Sequence, residues 1–209
     1  MAKLRKRVET APEDKAPLTP AKKKSLIREY AEAIIIALVL ALVVRTFVVQ
    51  AFKIPSGSME NTLLVGDHIL VNKFIYWFRD PKRGDIVVFK FPRDESRDFI
   101  KRVIGLPGEV VEVRGRQVLI DGRPLKEPYA VYNRLGLQGM FSGREEFGPF
   151  RVPEGSLFVM GDNRDNSLDS RAWGPLKIKK VKGVAFLIYW SWNSEGGWVR
   201  WGRLGKIIR

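Results

Sequence analysis

Cysteine is absent from the 209-residue sequence, which excludes disulfides, thiol nucleophiles and cysteine-based zinc sites. Histidine occurs once, as His68, so a zinc centre built on two or three imidazoles is excluded too. No zinc-finger, basic-zipper or RNA-binding signature accompanies the net charge of +14, and nucleic acid is therefore not the expected partner. An anionic membrane surface is the other usual answer to such a charge. What is present is ordinary globular composition, 45% hydrophobic and 29% charged, in a chain long enough for one sizeable core.

Residues 1–24 are rich in Lys, Arg, Pro and Glu with almost no apolar periodicity, which predicts a disordered basic tail running to about residue 30. The run from Ala33 to Val44 is then unbroken apolar sequence. Alone it would span only ~18 Å as a helix. Counted from Ala31 to Phe52 it reaches about 33 Å, enough for a ~30 Å hydrocarbon core, with Glu32 and Arg45 placed to snorkel. A buried core helix and a cleavable signal peptide are the alternatives. All-round apolar character favours lipid over the first, and the length of the preceding charged segment disfavours the second. A retained single-pass anchor over 31–52 is expected. Five Lys/Arg lie in the twenty residues before Ala31 and only Lys53 in the twenty after Phe52, which keeps the N-terminus cytoplasmic and sends residues 53–209 across.

Beyond residue 53 no long helical periodicity appears. His68–Phe74, Asp85–Phe91, Phe99–Ile104 and Val184–Trp190 are β-branched or aromatic runs punctuated by Gly and Pro. Val118-Leu-Ile-Asp-Gly-Arg-Pro-Leu125 carries an Asp-Gly pair between apolar residues, a hairpin signal. The expected fold is mainly β, an antiparallel sheet domain behind one N-terminal helix. Its core falls at about 53–106 and 159–209, with an inserted elaboration over about 107–158.

Four short segments could carry chemistry. In Ile54-Pro-Ser-Gly-Ser-Met59, Pro55 and Gly57 hold Ser56 and Ser58 in a tight loop, where a hydroxyl can serve as a nucleophile if a base stands beside it. For most Ser-Gly-Ser triplets a plain polar turn leaving the membrane is the better reading. The base would be His68, which lies on a strand-like run, or a lysine desolvated enough to lose its proton. In Phe99-Ile-Lys-Arg-Val-Ile104, strand alternation puts Lys101 on one face with Phe99 and Val103, and Arg102 on the other. Only Lys101 of the two can deprotonate. Taken alone, the segment reads better as a solvent-facing pair of cations. Gly161-Asp-Asn-Arg-Asp-Asn-Ser-Leu-Asp-Ser-Arg171 is unusually polar. As a calcium loop it lacks the turn glycine, with Ser170 in its place, and Leu176 falls where a glutamate is needed. Pairing of Asp162 with Arg164 and of Asp169 with Arg171 to brace a site is the better reading. Phe74-Ile-Tyr-Trp-Phe78, Trp190, Trp192, Trp198 and Trp201 are candidates for a lipid interface or for core.

Together with Arg45-Thr-Phe-Val-Val-Gln-Ala-Phe-Lys and Arg83-Gly-Asp-Ile-Val-Val-Phe89, these segments resemble bacterial type I signal peptidases over most of residues 31–190. The resemblance implies a membrane-bound serine endopeptidase of the bacterial cytoplasmic membrane. It would need no cofactor or metal, and would cut signal peptides from preproteins after small-x-small motifs near the export translocon. It also implies residue roles: Ser58 as nucleophile, Lys101 as general base, the Ser58 N–H and Ser56 hydroxyl as oxyanion hole, Ser167 orienting the lysine. Asp169 and Arg171, with Arg102 and Asp162, would support the site. One departure stands out: Asn61 occupies the place of the family's usual proline in Ser-Met-x-Pro-Thr-Leu. Self-cleaving repressor-type Ser/Lys proteases are a related alternative, but they carry a soluble DNA-binding domain where this chain has an anchor. A membrane-tethered β scaffold with an inert Ser58 is another.

Overall fold

The computed structural model describes residues 26–43, 45, 48–132, 145–194 and 196–209; most of the basic tail expected at the N-terminus lies outside them. The chain divides into two compact units, residues 1–40 and 41–209. Helix α1 (Leu26–Val43) has no buried residue, and Ile34, Ile35, Leu38 and Leu42 are all exposed. Arg28 and Glu32 pair one turn apart at 3.0 Å.

The helix stops short of the expected 31–52 span. Among the described residues no helix is long and apolar enough to cross a membrane. Residues Val49–Lys53 form strand β1 instead. A short apolar run cannot be assigned to helix or strand from its periodicity, and here cross-strand pairing decides it. Each residue of β1 stands opposite one of β2 (Asp67–Asn72), from Val49 against Asn72 to Lys53 against His68.

The remaining strands are β3 (Ile86–Phe91), β4 (Asp94–Gly105), β5 (Val110–Arg114), β6 (Gln117–Ile120), β7 (Arg123–Pro124), β8 (Glu146–Arg151), β9 (Ser156–Met160), β10 (Leu176–Lys177), β11 (Val181–Asn193), β12 (Trp198–Val199) and β13 (Lys206–Ile207). Among the described residues they make a nine-stranded sheet in the order β1-β2-β11-β3-β4-β9-β10, with β12 and β13 on β11, and a four-stranded sheet β7-β6-β5-β8. The pairings in both sheets are antiparallel. The Asp-Gly pair turns β6 into β7, with Asp121 at φ 48° and Gly122 at φ 76°, as a two-residue hairpin requires. The small sheet takes residues 110–151, and the chain is back in the large sheet at Ser156, a little before the expected 159.

Where the site will sit, the large sheet is dry on both faces. Ile86, Val88 and Ile100 pack with Ile54, Met59, Leu63 and Ile69, while Val87, Phe89 and Val103 pack with Leu157, Val159 and Leu176. A third cluster joins the small sheet to the large one through Ile104, Phe158 and Met160. Any polar side chain on the second half of β4 is thereby carried out of water, whichever face it occupies.

Candidate active site

Lys101 and Arg102 are 3% and 2% exposed, so the reading of a solvent-facing pair of cations is excluded. Lys101 stands opposite Val87 and Arg102 opposite Ile86 on β3, and alternation sends the two cations to opposite faces.

Ser58 occupies the short 3₁₀ turn Gly57–Met59. Buried Ile54 before it and fully buried Met59 and Leu63 after it pin that turn to the core, leaving Ser58 7% exposed. The Lys101 Nζ donates to Ser58 Oγ at 2.7 Å and to the Ile100 carbonyl at 2.8 Å, with the Phe99 ring centroid 5.5 Å away. Burial pushes the lysine down to about 8, against the opposing pull of the Asp169 and Asp162 carboxylates. A cation stripped of water without a carboxylate in direct contact gives up its proton more readily. His68 has other company: it stands opposite Lys53 and Trp190 and meets the Tyr189 ring edge-on at 5.8 Å.

The segment from Gly161 to Arg171 closes round the same turn. The Asn163 backbone N–H donates to the Ser58 carbonyl at 3.2 Å. Its side-chain amide donates to the Gly57 carbonyl at 3.3 Å and the Glu60 carboxylate at 2.9 Å. A Cβ on Gly161 would collide with the Ser167 hydroxyl and the Ser58 carbonyl, so only glycine allows this approach. Ser167 and Asp169 are fully buried. Asp169 caps the short helix α2 (Ser170–Trp173) through the Arg171 N–H and meets the Arg171 guanidinium with two bonds of 2.9 Å. Burial alone would raise the Asp169 carboxyl, but Arg171, the Ser167 hydroxyl and the Gly161 N–H together hold it below the ordinary carboxylate value.

One expected pairing is not made. Asp162 binds Arg102, through Nε at 2.8 Å and Nη2 at 2.7 Å, and Arg164 binds Glu127 at 3.0 and 2.5 Å. The cause is sheet register. Arg102 stands opposite Met160 on β9, and a residue two further along projects to the same side. Thr62 Oγ1 adds a bond to Asp162 at 2.5 Å, and the Tyr129 ring lies 3.9 Å from the Arg102 guanidinium. Ser56 is exposed and extended, and its side chain does not cap the turn. The contributions of Thr62, Glu127, Tyr129, Gly161 and Asn163 escaped the sequence reading. Their partners are distant in sequence, and only the Asn61-Thr62 and Gly161-Asp-Asn stretches carried any motif signal.

A serine hydroxyl and a lysine amine in contact within a dry β framework are an arrangement a serine peptidase can use. The chain's sequence says which: residues 27–190 match the family model described as signal peptidase, peptidase S26. Signal peptidase I of Leptolyngbya laminosa is 41% identical over 196 residues, covering 90% of this chain and 91% of that protein. Signal peptidase I of Pseudomonas fluorescens is 39% identical over 212 residues, covering 81% and 75%. Signal peptidase I S of Bacillus subtilis is 38% identical over 177 residues, covering 83% and 94%. The chain belongs to the signal peptidase family S26, and its function is that of a type I signal peptidase.

Proposed function

We propose that Ser58 is the nucleophile and Lys101 its general base in the cleavage of signal peptides from exported preproteins. The observation that carries this is the 2.7 Å contact between Lys101 Nζ and Ser58 Oγ in a buried setting. A neutral amine has two N–H bonds and one lone pair. The Ile100 carbonyl takes one N–H, which leaves the lone pair free to turn to Ser58. Ser58 Oγ attacks the scissile carbonyl as its proton passes to Nζ. The same nitrogen then protonates the departing amine, and later takes a proton from the water that releases the acyl group. The Ser58 N–H lies in the first turn of a 3₁₀ segment, where no intrahelical acceptor exists. With the Ser56 hydroxyl, which is not used for capping, it would hold the oxyanion, a contribution often worth about 3 kcal/mol per donor in the transition state. Ser167 orients the amine, and Asp169 with Arg171, and Asp162 with Arg102, keep the surrounding loop in place.

Substrate would lie extended across a shallow cleft lined by Phe52, Ile54, Pro55, Val88, Phe99 and Ile100, with Lys53 and Asp98 also on its wall. Two features support this. Among the described strands β1 pairs only with β2, and β4 pairs with β9 only from Arg102 onward. The cleft therefore runs between backbone edges able to accept a further strand. The shallow, largely apolar wall suits small side chains, in keeping with a small-x-small motif. Attachment to a bilayer would use the exposed apolar side chains of α1, with Trp77, Phe78, Trp198 and Trp201, 60–77% exposed, at the lipid boundary.

The test is cleavage of a synthetic preprotein by the full chain in detergent micelles. Wild type should cut at one site, and Ser58→Ala, Lys101→Met and Lys101→Arg should all be inactive. The arginine variant decides between general-base catalysis and a merely positive contact, because guanidinium keeps its proton. Near wild-type cleavage by Lys101→Arg would overturn the assignment. Sedimentation of the chain with membranes after alkaline washing tests the anchor.

A further inference from the structure

The stretch Glu127–Val131 lies outside the segments that carry the chemistry, yet it contacts both sides of the site. The Glu127 carboxylate grips both terminal nitrogens of Arg164, with the two side chains 7% and 2% exposed. The Tyr129 ring covers the Arg102 guanidinium. The Val131 N–H donates to the Asp162 carbonyl, and the Arg164 N–H donates to the Val131 carbonyl, each at 2.8 Å. We propose that Glu127 is a positioning residue of the peptidase, acting through Arg164 to hold the Gly161 segment against the turn that carries Ser58.

The chain of contacts is short. Arg164 Nε donates to the Gly161 carbonyl at 3.1 Å, and Arg171 Nη2 donates to the Arg164 carbonyl at 2.8 Å. Gly161 lies against both Ser58 and Ser167, and its N–H binds Asp169. A guanidinium this deeply buried cannot shed its proton. Deprived of the Glu127 carboxylate, with the rings of Tyr129 and Tyr132 as ionisable neighbours, it must draw in water or swing out of its place. Either response releases the Gly161 carbonyl and slackens the wall beside Lys101. The charged groups facing that amine are the Asp162 and Asp169 carboxylates, themselves paired with Arg102 and Arg171. Water entering here hydrates the ammonium and favours its protonated form.

This inference rests on Lys101 acting as the base, and the experiment separates the two. Full-length wild type, Glu127→Gln, Glu127→Asp and Lys101→Met are assayed on a synthetic preprotein in micelles across pH 6–10. Glu127→Gln should lower kcat about tenfold or more with KM little changed, and should move the acidic limb of the rate profile about one pH unit upward. Glu127→Asp, which keeps the charge, should recover part of both effects. A purely structural role would lower the melting temperature and leave the limb where it is. The brace fails if Glu127→Gln, or Glu127→Ala should the glutamine variant not fold, keeps wild-type kcat and an unmoved limb. Cleavage by Lys101→Met would instead sink the Ser/Lys reading, whatever Glu127 does.

Discussion

Arg102 and Asp162 meet through parallel hydrogen bonds of 2.8 and 2.7 Å, with the two side chains 2% and 0% exposed. Removing one member strands the other as a buried charge. Arg102→Met or Asp162→Leu should each cost about 3–5 kcal/mol of folding stability, and the double replacement should recover part of that. Urea unfolding of the four proteins checks it. Single variants within 1 kcal/mol of wild type would mean that the pair is not sealed from water.

Lys101 should set a pH dependence in both activity and stability. Only the neutral amine can accept the serine proton, so kcat/KM should rise about tenfold per pH unit below the value near 8 and level off above it. Folding stability runs the same way. Between about 8 and the ordinary 10.5 the unfolded chain holds more protons than the folded one, so stability increases with pH across that window. Below it the buried ammonium costs the folded state about 3 kcal/mol. Lys101→Met should therefore be inactive yet more stable at pH 7, with its gain shrinking as pH approaches 10. A methionine variant that melts below wild type at pH 7 would contradict this.

Asn61 adopts φ 78°. The ring of a proline, which the family resemblance leads one to expect here, fixes φ near −65° and could not follow this backbone, whereas asparagine tolerates the left-handed region. Asn61→Pro should then cost about 1–3 kcal/mol and disturb the turn bearing Ser58, while Asn61→Gly should be close to neutral. Thermal melts with cleavage rates alongside would settle it. A proline variant as stable and active as wild type would show that the turn adopts a second backbone path.

Gly161→Ala introduces a methyl group where Ser167 and the Ser58 carbonyl already lie. Overpacking of this kind costs about 1–3 kcal/mol, and the displaced atoms belong to Ser58 and Ser167. Activity should fall by about a hundredfold or more in the folded protein. Circular dichroism would confirm folding before the rate is compared.

The local features of this chain were legible because each depends on neighbours in sequence. Alternation along Phe99–Ile104 separated Lys101 from Arg102, and Pro55 and Gly57 marked the turn holding the serines. The Asp121-Gly122 turn announced its hairpin. Features set by distant partners were not legible. Val49–Phe52 reads equally well as the end of a helix, and only the ladder to β2 makes it a strand. Asp162 and Arg164 are neighbours along the chain, but register hands Asp162 to Arg102 and leaves Arg164 to Glu127. No local pattern in the sequence forecasts either match.

The alternation of β4 has a further consequence. Sliding that strand by one position against β3 and β9 would turn Arg102 toward Ser58 and send Lys101 to the opposite face. A permanently charged group would then stand where a proton acceptor is needed. Such a misaligned sheet could satisfy nearly all its backbone bonds and still be chemically inert, so correct threading of one ladder is as decisive for this peptidase as the identity of its residues.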